Sequence, residues 1–317
     1  MTTHPAGRTA PWTGAGAGKP ADPAPTSAPR PIPRPTCRAF VTAATILLIA
    51  GCSAPVASTP ASPGAAAQGT SSGLPSPHVH GIAIDPADDT VYLATHDGLF
   101  SYGTRTPARV GPIIDLMGFA AAGPTTFYAS GHPGPGTALP NPVGLLTSAD
   151  AGRTWQPLSR QGESDFHALT AAPFGVIAAD RALRITEDGR SWRELLIPQP
   201  AIALAAAPDG GTILAATDAG PLRSTTRGDT WAPVDGAPPL QLLAWADADT
   251  AVGTTYDGAV HISDDAGRSW SPRARVGPAQ AITARAGADG NVRVLIVTRS
   301  EILESADGGV TFHPWVP

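Results

Sequence analysis

Cysteine, charge and basic clusters are all scarce in this chain. Its 317 residues include two cysteines, Cys37 and Cys52, and only 15% of them are charged, with a formal net charge of −5. So few cysteines exclude a fold held by several disulfides. A nucleic-acid partner would require a clustered basic face, and we therefore expect none. Packing alone must hold the fold together.

Long hydrophobic runs are also nearly absent, and the one that stands out lies at residues 39–50. This run is too short to span a bilayer comfortably. Its length and its position behind Arg30, Arg34 and Arg38 are typical of the core of a signal peptide. We therefore predict that the residues after the run are exported.

The tetrapeptide at the end of the run, Ile49-Ala50-Gly51-Cys52, resembles the lipobox of bacterial lipoproteins. The resemblance implies that Cys52 carries a lipid, becomes the mature N-terminus and anchors the protein in the cell membrane, facing the extracytoplasmic side. Cys37 would then be removed with the signal peptide, which leaves no disulfide partner. The alternative is an uncleaved membrane anchor with an incidental cysteine. Under both interpretations, the folded domain is exported.

Composition divides the chain into four parts. Residues 1–38 are rich in proline, alanine, glycine and threonine and cannot bury a core, so we interpret them as a disordered signal n-region or as sequence before the true start. Residues 39–52 form the signal core and lipobox. Residues 53–77 are a tether of serine, alanine, proline and glycine. The folded domain is expected over residues 78–317.

A short phrase recurs in this last part of the chain. Each copy has a serine or threonine, then usually an aspartate, a glycine and a closing aromatic residue. The glycines recur at roughly forty residues, which is the period of a four-stranded propeller blade. The copies lie at residues 148–155, 186–192, 224–231, 263–270 and 305–312.

This spacing predicts an all-β fold, a six-bladed β-propeller with four antiparallel strands in each blade. Blade 1 begins at His78 and lacks the phrase. The phrase resembles the Asp box of the BNR repeat family, which includes six-bladed sialidases, other glycoside hydrolases, and sortilin-like and photosystem-assembly propellers. The resemblance implies that each Asp-box turn joins the third and fourth strands, at the end of the propeller away from a catalytic mouth. The other blades are predicted to begin near Asp115, Asp165, Ala201, Leu240 and Ala279.

The same resemblance raises the possibility of an exo-sialidase-like activity. Sialidases of this architecture use an arginine triad and a tyrosine paired with a glutamate, and neither set is found. Arg299 alone aligns with a substrate position, and Tyr256 alone among the tyrosines could face the mouth. A more general glycosidase needs two carboxylates about 5 to 9.5 Å apart. Asp115 and Asp165 are the candidates for that pair.

Histidines gather where the first three blades begin. Side chains two apart on a strand point to the same side, and antiparallel pairing brings the end of a second strand beside the start of the first. Five of the seven histidines from His78 onward are therefore expected in one sector of the mouth. Met117 follows Asp115 by two residues on the inner strand of blade 2. The predicted metal ligands are therefore His78, His80, His96, Met117, His132 and His167.

Imidazole, thioether and carboxylate together suit copper, whereas histidine and aspartate without methionine suit zinc or manganese. A transition metal, copper or zinc, is thus the predicted cofactor. One alternative is that these residues only cap strand ends. Another is a metal-free pocket for a glycan, a peptide or a protein. The long loop at residues 132–142 over the same sector is either a lid or a tolerated surface excursion.

Three functions remain open from the sequence. The first is an exported, membrane-anchored propeller with a ligand or metal site at the mouth of blades 1 to 3. The second is a glycosyl hydrolase of the Asp-box family, and the third is an assembly or interaction scaffold without catalysis.

Overall fold

The computed structural model describes residues 73–104 and 106–317. The predicted signal peptide, Cys52 and most of the tether lie outside these residues. The described part contains 24 strands in six sheets of four, and no helix in it is long and apolar enough to cross a membrane. The predicted six-bladed β-propeller is confirmed.

Each blade consists of four strands that are consecutive in the chain and pair as antiparallel neighbours. Blade 1 comprises β1 (Val79–Ile84), β2 (Val91–Thr95), β3 (Gly98–Tyr102) and β4 (Ala108–Val110). Blade 2 comprises β5 (Ile114–Gly123), β6 (Thr126–Pro133), β7 (Leu145–Ser148) and β8 (Gln156–Ser159). Blade 3 comprises β9 (Ala168–Ala172), β10 (Gly175–Ala179), β11 (Leu183–Thr186) and β12 (Arg193–Leu195).

The remaining three blades repeat this order. Blade 4 comprises β13 (Ala203–Ala206), β14 (Ile213–Ala216), β15 (Leu222–Ser224) and β16 (Ala232–Pro233). Blade 5 comprises β17 (Leu240–Trp245), β18 (Ala251–Thr255), β19 (Ala259–Ser263) and β20 (Ser271–Arg275). Blade 6 comprises β21 (Ala281–Ala286), β22 (Val292–Val297), β23 (Ile302–Ser305) and β24 (His313–Pro314). The first strand of every blade contacts the first strands of its two neighbours, which closes the ring.

The core lies between the blades rather than at one centre. Six apolar clusters each join two neighbouring sheets, so every blade interface has its own buried layer. Between blades 1 and 2, for example, Leu99 packs in one cluster with Phe127 and Leu146, and all three are fully buried. Burying one such side chain contributes about 1.5 to 3 kcal/mol.

The recurring phrase forms the turn between the third and fourth strands. In blade 2, Ser148 Oγ accepts a hydrogen bond from the amide of Gly152 (2.8 Å), and Asp150 Oδ1 accepts one from the amide of Thr154 (2.9 Å). Gly152 has a positive φ of 84°, and a Cβ there would lie 2.2 Å from a methyl carbon of Leu99. Trp155 packs against the cluster between blades 1 and 2. The local sequence thus both closes the turn and seals a blade interface.

Candidate functional site

Strand direction places the predicted site and the recurring turns at opposite ends of the ring. The first strands of the blades begin at one end, and their second strands return to it. The third strands then run away from it into the recurring turns. We call the end where the first strands begin the mouth. His80 on β1, Asp115 on β5 and His132 on β6 lie there, as does His96, which follows β2 directly.

β-Bulges interrupt the first strands of blades 1 and 2 near the mouth. The pairing register between β1 and β2 shifts from Val79 to Gly81, so His80 is the extra residue. The register between β5 and β6 shifts between Leu116 and Gly118, which makes Met117 the extra residue of blade 2. Bulges re-aim side chains and recur beside functional sites. The strict two-residue alternation expected from the sequence therefore does not hold at His80 and Met117.

His78, His80, His96 and Asp115 form what we call the first cluster. The Nε2 atoms of His80 and His96 are 3.2 Å apart, and the two rings meet edge to face with centroids 4.5 Å apart. The ring of His78 lies against His96 on another side, with centroids 5.3 Å apart. His96 Nδ1 is 2.7 Å from Asp115 Oδ1. Ligand atoms of His80, His96 and Asp115 all lie within 4.8 Å of one another.

Asp115 determines which ring nitrogen of His96 carries the proton and which has a free lone pair for a metal. A carboxylate accepts hydrogen bonds, so the proton of the neutral His96 ring lies on Nδ1, and its Nε2 presents a lone pair toward His80. A carboxylate that orients an imidazole in this way is the usual outer partner of a metal-binding histidine. Two nitrogens bound to one tetrahedral ion at about 2.0 Å lie about 3.3 Å apart. The observed 3.2 Å between the two Nε2 atoms fits that spacing.

The surroundings of His80 favour its neutral form. Burial lowers the pKa of His80, and the nearby His96 lowers it further, whereas Asp115 acts in the opposite direction. His167 and His78 add smaller lowering effects. Metals bind the neutral ring. His80 is therefore prepared to act as a ligand near neutral pH.

His132, Asp165 and His167 form the second cluster. Asp165 Oδ2 lies 3.2 Å from His132 Nε2 and 2.8 Å from His167 Nε2. Asp165 and His167 precede β9, whose first residue is Ala168, so they lie on its approach and not within the strand as the sequence suggested. Cross-strand pairing of Asp115 with His132 connects the two clusters.

Asn141 belongs to the second cluster and was not identified from the sequence. Its Oδ1 lies 2.8 Å from Nδ1 of His132. The loop that carries it is tied to the blade, because Leu139 packs against the cluster between blades 1 and 2 and the amide of Val143 donates to the carbonyl of Gly131. The long loop thus positions a residue of the site. Its many glycines and prolines indicated only a long loop, and the partner of Asn141 depends on the fold.

The other residues considered from the sequence differ in their burial and in their partners. Met117 is half-buried at its bulge, and its place as a metal ligand stays a prediction. Asp115 and Asp165, the predicted glycosidase pair, both face imidazoles. Tyr256, the tyrosine considered for the mouth, is 57% exposed. His80 and His167 line an axial cavity of about 160 Å³ together with apolar residues such as Phe119, Leu204 and Leu243.

Comparison with known proteins shows the fold. No protein-family model matches the sequence, and no curated protein does so either. A GH74 enzyme from Niastella koreensis superimposes with a TM-score of 0.55 at 16% identity, over 74% of this chain and 36% of the enzyme. A GH74 xyloglucanase from Xanthomonas campestris gives a TM-score of 0.50 at 16% identity, over 75% of this chain and 45% of the enzyme.

The WD40 propeller domain of Doa1 gives a TM-score of 0.51 at 11% identity, over 74% of this chain and 80% of that domain. The chain spans less than half the length of the two GH74 enzymes. At these identities the similarity shows the fold alone. All three solved structures share the β-propeller architecture with this chain.

Proposed function

We propose that this protein is an exported, lipid-anchored propeller that binds a transition metal, zinc or copper, at the mouth of blades 1 to 3. His80 and His96 supply the ligand nitrogens, and Asp115 holds His96 in the required tautomer. The observation that carries the proposal is the 3.2 Å separation of the two Nε2 atoms. His78 packs beside His96 and is available as a further ligand.

The donor set bears on the choice of metal. Two imidazoles, with a third available from His78, suit zinc, and the addition of the Met117 thioether would favour copper. Without a metal, His80 Nε2–H can donate a hydrogen bond to His96 Nε2, and a bound ion would take the place of that proton.

Metal titration of the purified full chain tests the proposal. After removal of metal by a chelator, calorimetric titration with Zn²⁺ and with Cu²⁺ is expected to show binding that His80→Ala and His96→Ala each abolish at this site. Asp115→Asn is expected to weaken binding about 10- to 100-fold, as loss of an outer-shell partner does. His313→Ala, on the outer strand β24, is the matched control and should bind as the wild type does.

Failure of Zn²⁺ and Cu²⁺ to bind, or stoichiometry unchanged by both His80→Ala and His96→Ala, would overturn the metal proposal. Under the glycosidase alternative, the Asp115 and Asp165 carboxylates would face a glycan in the mouth. Turnover of xyloglucan that is lost in Asp115→Asn and kept in His80→Ala would favour that alternative. A scaffold would show neither metal binding nor turnover.

The anchoring part of the proposal rests on the sequence. Residues 39–50 supply a signal core, and Cys52 follows two small residues at its end. A lipid on Cys52 would anchor the protein in the membrane, with residues 53–77 as the spacer to the propeller.

A further inference from the structure

We propose that a cleft between blades 4 and 5 binds a small ligand through the guanidinium groups of Arg223 and Arg268, and that this ligand carries a phosphate or carboxylate group. The cleft lies at the end of the ring opposite the mouth, beside the recurring turns of the two blades. The proposal does not depend on a metal at the mouth.

The cleft has a volume of about 530 Å³ and combines charged, hydroxyl and apolar walls. Arg223 on β15 and Arg268 in the recurring turn of blade 5 supply positive charge. Thr225 and Thr230 add hydroxyl groups, and the half-buried Trp231 adds an aromatic surface. A concave site with a few polar groups beside apolar ones is typical of small-ligand pockets.

Arg223 is held in place by neutral acceptors. Its Nε donates to the carbonyl oxygen of Ala266 at 2.7 Å, and its Nη2 donates to Thr212 Oγ1 at 3.2 Å. Thr212 directly precedes β14 of blade 4, and Ala266 lies in the recurring turn of blade 5, so the guanidinium is fixed to both blades. These bonds leave Nη1 with both of its protons for a ligand.

The two guanidinium groups are near each other and have no carboxylate partner. Neither Arg223 nor Arg268 forms an ion pair among the described residues, whereas other arginines there do. Arg268 Nη1 donates to the carbonyl oxygen of Asp265 at 2.7 Å. Burial and the nearby Arg268 lower the pKa of Arg223, and Asp265 acts in the opposite direction. Two neighbouring cations repel each other, and a bound anion would be attracted to both.

The recurring turn of blade 4 differs from the others in a way that favours an anion. Arg223 directly precedes the opening serine of this turn. The other four blades with the turn have uncharged or acidic residues there, namely Thr147, Ile185, Ile262 and Glu304. Blade 4 also has Thr226 in place of the aspartate, and the Thr226 hydroxyl lies 2.8 Å from that of Thr230 at the cleft. Blade 4 therefore has an additional cation and lacks an anion beside the cleft.

The donors and the aromatic wall indicate the class of ligand. Arginine binds phosphate and carboxylate oxygens through pairs of N–H groups. The ring of Trp231 can pack against the body of a ligand whose anionic group contacts the arginines. We therefore expect a sugar phosphate or a sugar acid to bind more tightly than inorganic phosphate.

Calorimetric titration of the full chain tests the proposal with inorganic phosphate, glucose 6-phosphate and glucuronate. A chelator first removes metal, so that an ion at the mouth cannot bind the same anions. The tighter of the two sugar probes identifies the preferred anionic group. Arg268→Ala should weaken its binding about 10- to 100-fold, because a charged hydrogen-bond donor is lost. Arg153→Ala is the matched control, since Arg153 Nη1 donates in the same way to the carbonyl oxygen of Asp150 in blade 2.

Thr226→Asp separates ligand binding from folding. The new carboxylate should weaken binding about 3- to 10-fold by repulsion, whereas the fold should not be destabilised. Arg268 is exposed, so Arg268→Ala should keep the wild-type melting temperature, which serves as its folding check. Absence of binding by all three probes, or equal affinity in the wild type and Arg268→Ala, would overturn the anion site and leave the metal proposal untouched. An equal loss in Arg153→Ala would overturn it as well.

Discussion

Gly131 shows how one residue without a side chain determines the geometry of the mouth. It lies on β6 beside the β5 bulge, and its φ is 144°. A Cβ at this position would lie 1.9 Å from the carbonyl oxygen of Asp115. Only glycine adopts this conformation without strain. The residue therefore allows β5 and β6 to approach where Asp115 and His132 stand opposite each other.

Gly131→Ala should weaken both stability and metal binding. The backbone must move away from Asp115, and strain of this kind costs about 1 to 3 kcal/mol. Denaturant unfolding measures the loss of stability, and calorimetric titration with Zn²⁺ measures the loss of affinity. Gly103→Ala is the control, since no atom lies within 4 Å of a Cβ there and its φ is not in the left-handed region. Unchanged unfolding and titration in Gly131→Ala would contradict this account.

At the scale of single elements, the recurring turn is a self-contained hydrogen-bonded unit whose stability depends on pH. The turn threonines and serines donate to the aspartates, and these bonds lower the aspartate pKa values. The pKa is about 2 for Asp150, Asp265 and Asp307. An unfolded aspartate titrates near 3.9. The turns therefore contribute stability that is fully present above about pH 4 and is lost as the pH falls toward 2.

Blade 4 offers a test of this element, because Thr226 stands where the other turns have aspartate. The Thr226 hydroxyl oxygen accepts a hydrogen bond from the amide of Thr230 at 2.9 Å. Thr226→Asp should strengthen that bond and raise the melting temperature by about 2 to 4 °C at pH 7, equivalent to about 1 kcal/mol.

The gain from Thr226→Asp should shrink as the pH falls from about 4 toward 2, because the new carboxylate becomes protonated over that range. Thr225→Asp adds the same charge one residue earlier and should give no such gain. Melting curves by circular dichroism at the two pH values measure the difference. An equal gain at both pH values, or an equal gain from Thr225→Asp, would refute the role of the carboxylate.

At the scale of the whole molecule, the ring closes by packing between blades 1 and 6. Every blade is built from consecutive strands, so no strand of one blade is supplied by another. Trp315 packs against the cluster that joins these two blades, and its ring meets Tyr102 edge to face at 5.2 Å. Leu74, just before the first strand, is buried in the same cluster. The last aromatic of the chain thus seals the interface that completes the ring.

The proposed membrane anchor also concerns the whole molecule, since one modified residue, Cys52, would decide where the propeller resides. Cys52→Ser should move the protein from the membrane fraction to the soluble extracytoplasmic fraction, because the lipid attachment point is lost. Cys37→Ser should leave it in the membrane, because Cys37 precedes the proposed cleavage site. Fractionation of cells that express each variant measures the distribution. Retention of Cys52→Ser in the membrane would support an uncleaved anchor instead.

The sequence by itself determined the number of blades, the strand order and the end of the ring where the histidines meet. These follow from local patterns, since the recurring turn closes on atoms only two to four residues apart. The histidine sector also followed from strand direction, because antiparallel pairing dictates which strand ends share a face.

Only the tertiary structure divided the five histidines among the predicted ligands into two clusters and added Asn141. Two of the short distances join residues on separate blades, His96 with Asp115 and His132 with Asp165. The bulges at His80 and Met117 and the packing of the loop that carries Asn141 are further features of the mouth that arise in the folded chain. A one-residue bulge redirects a side chain without leaving a periodic signal in the sequence. The contacts of the mouth therefore became visible only once the blades were placed side by side.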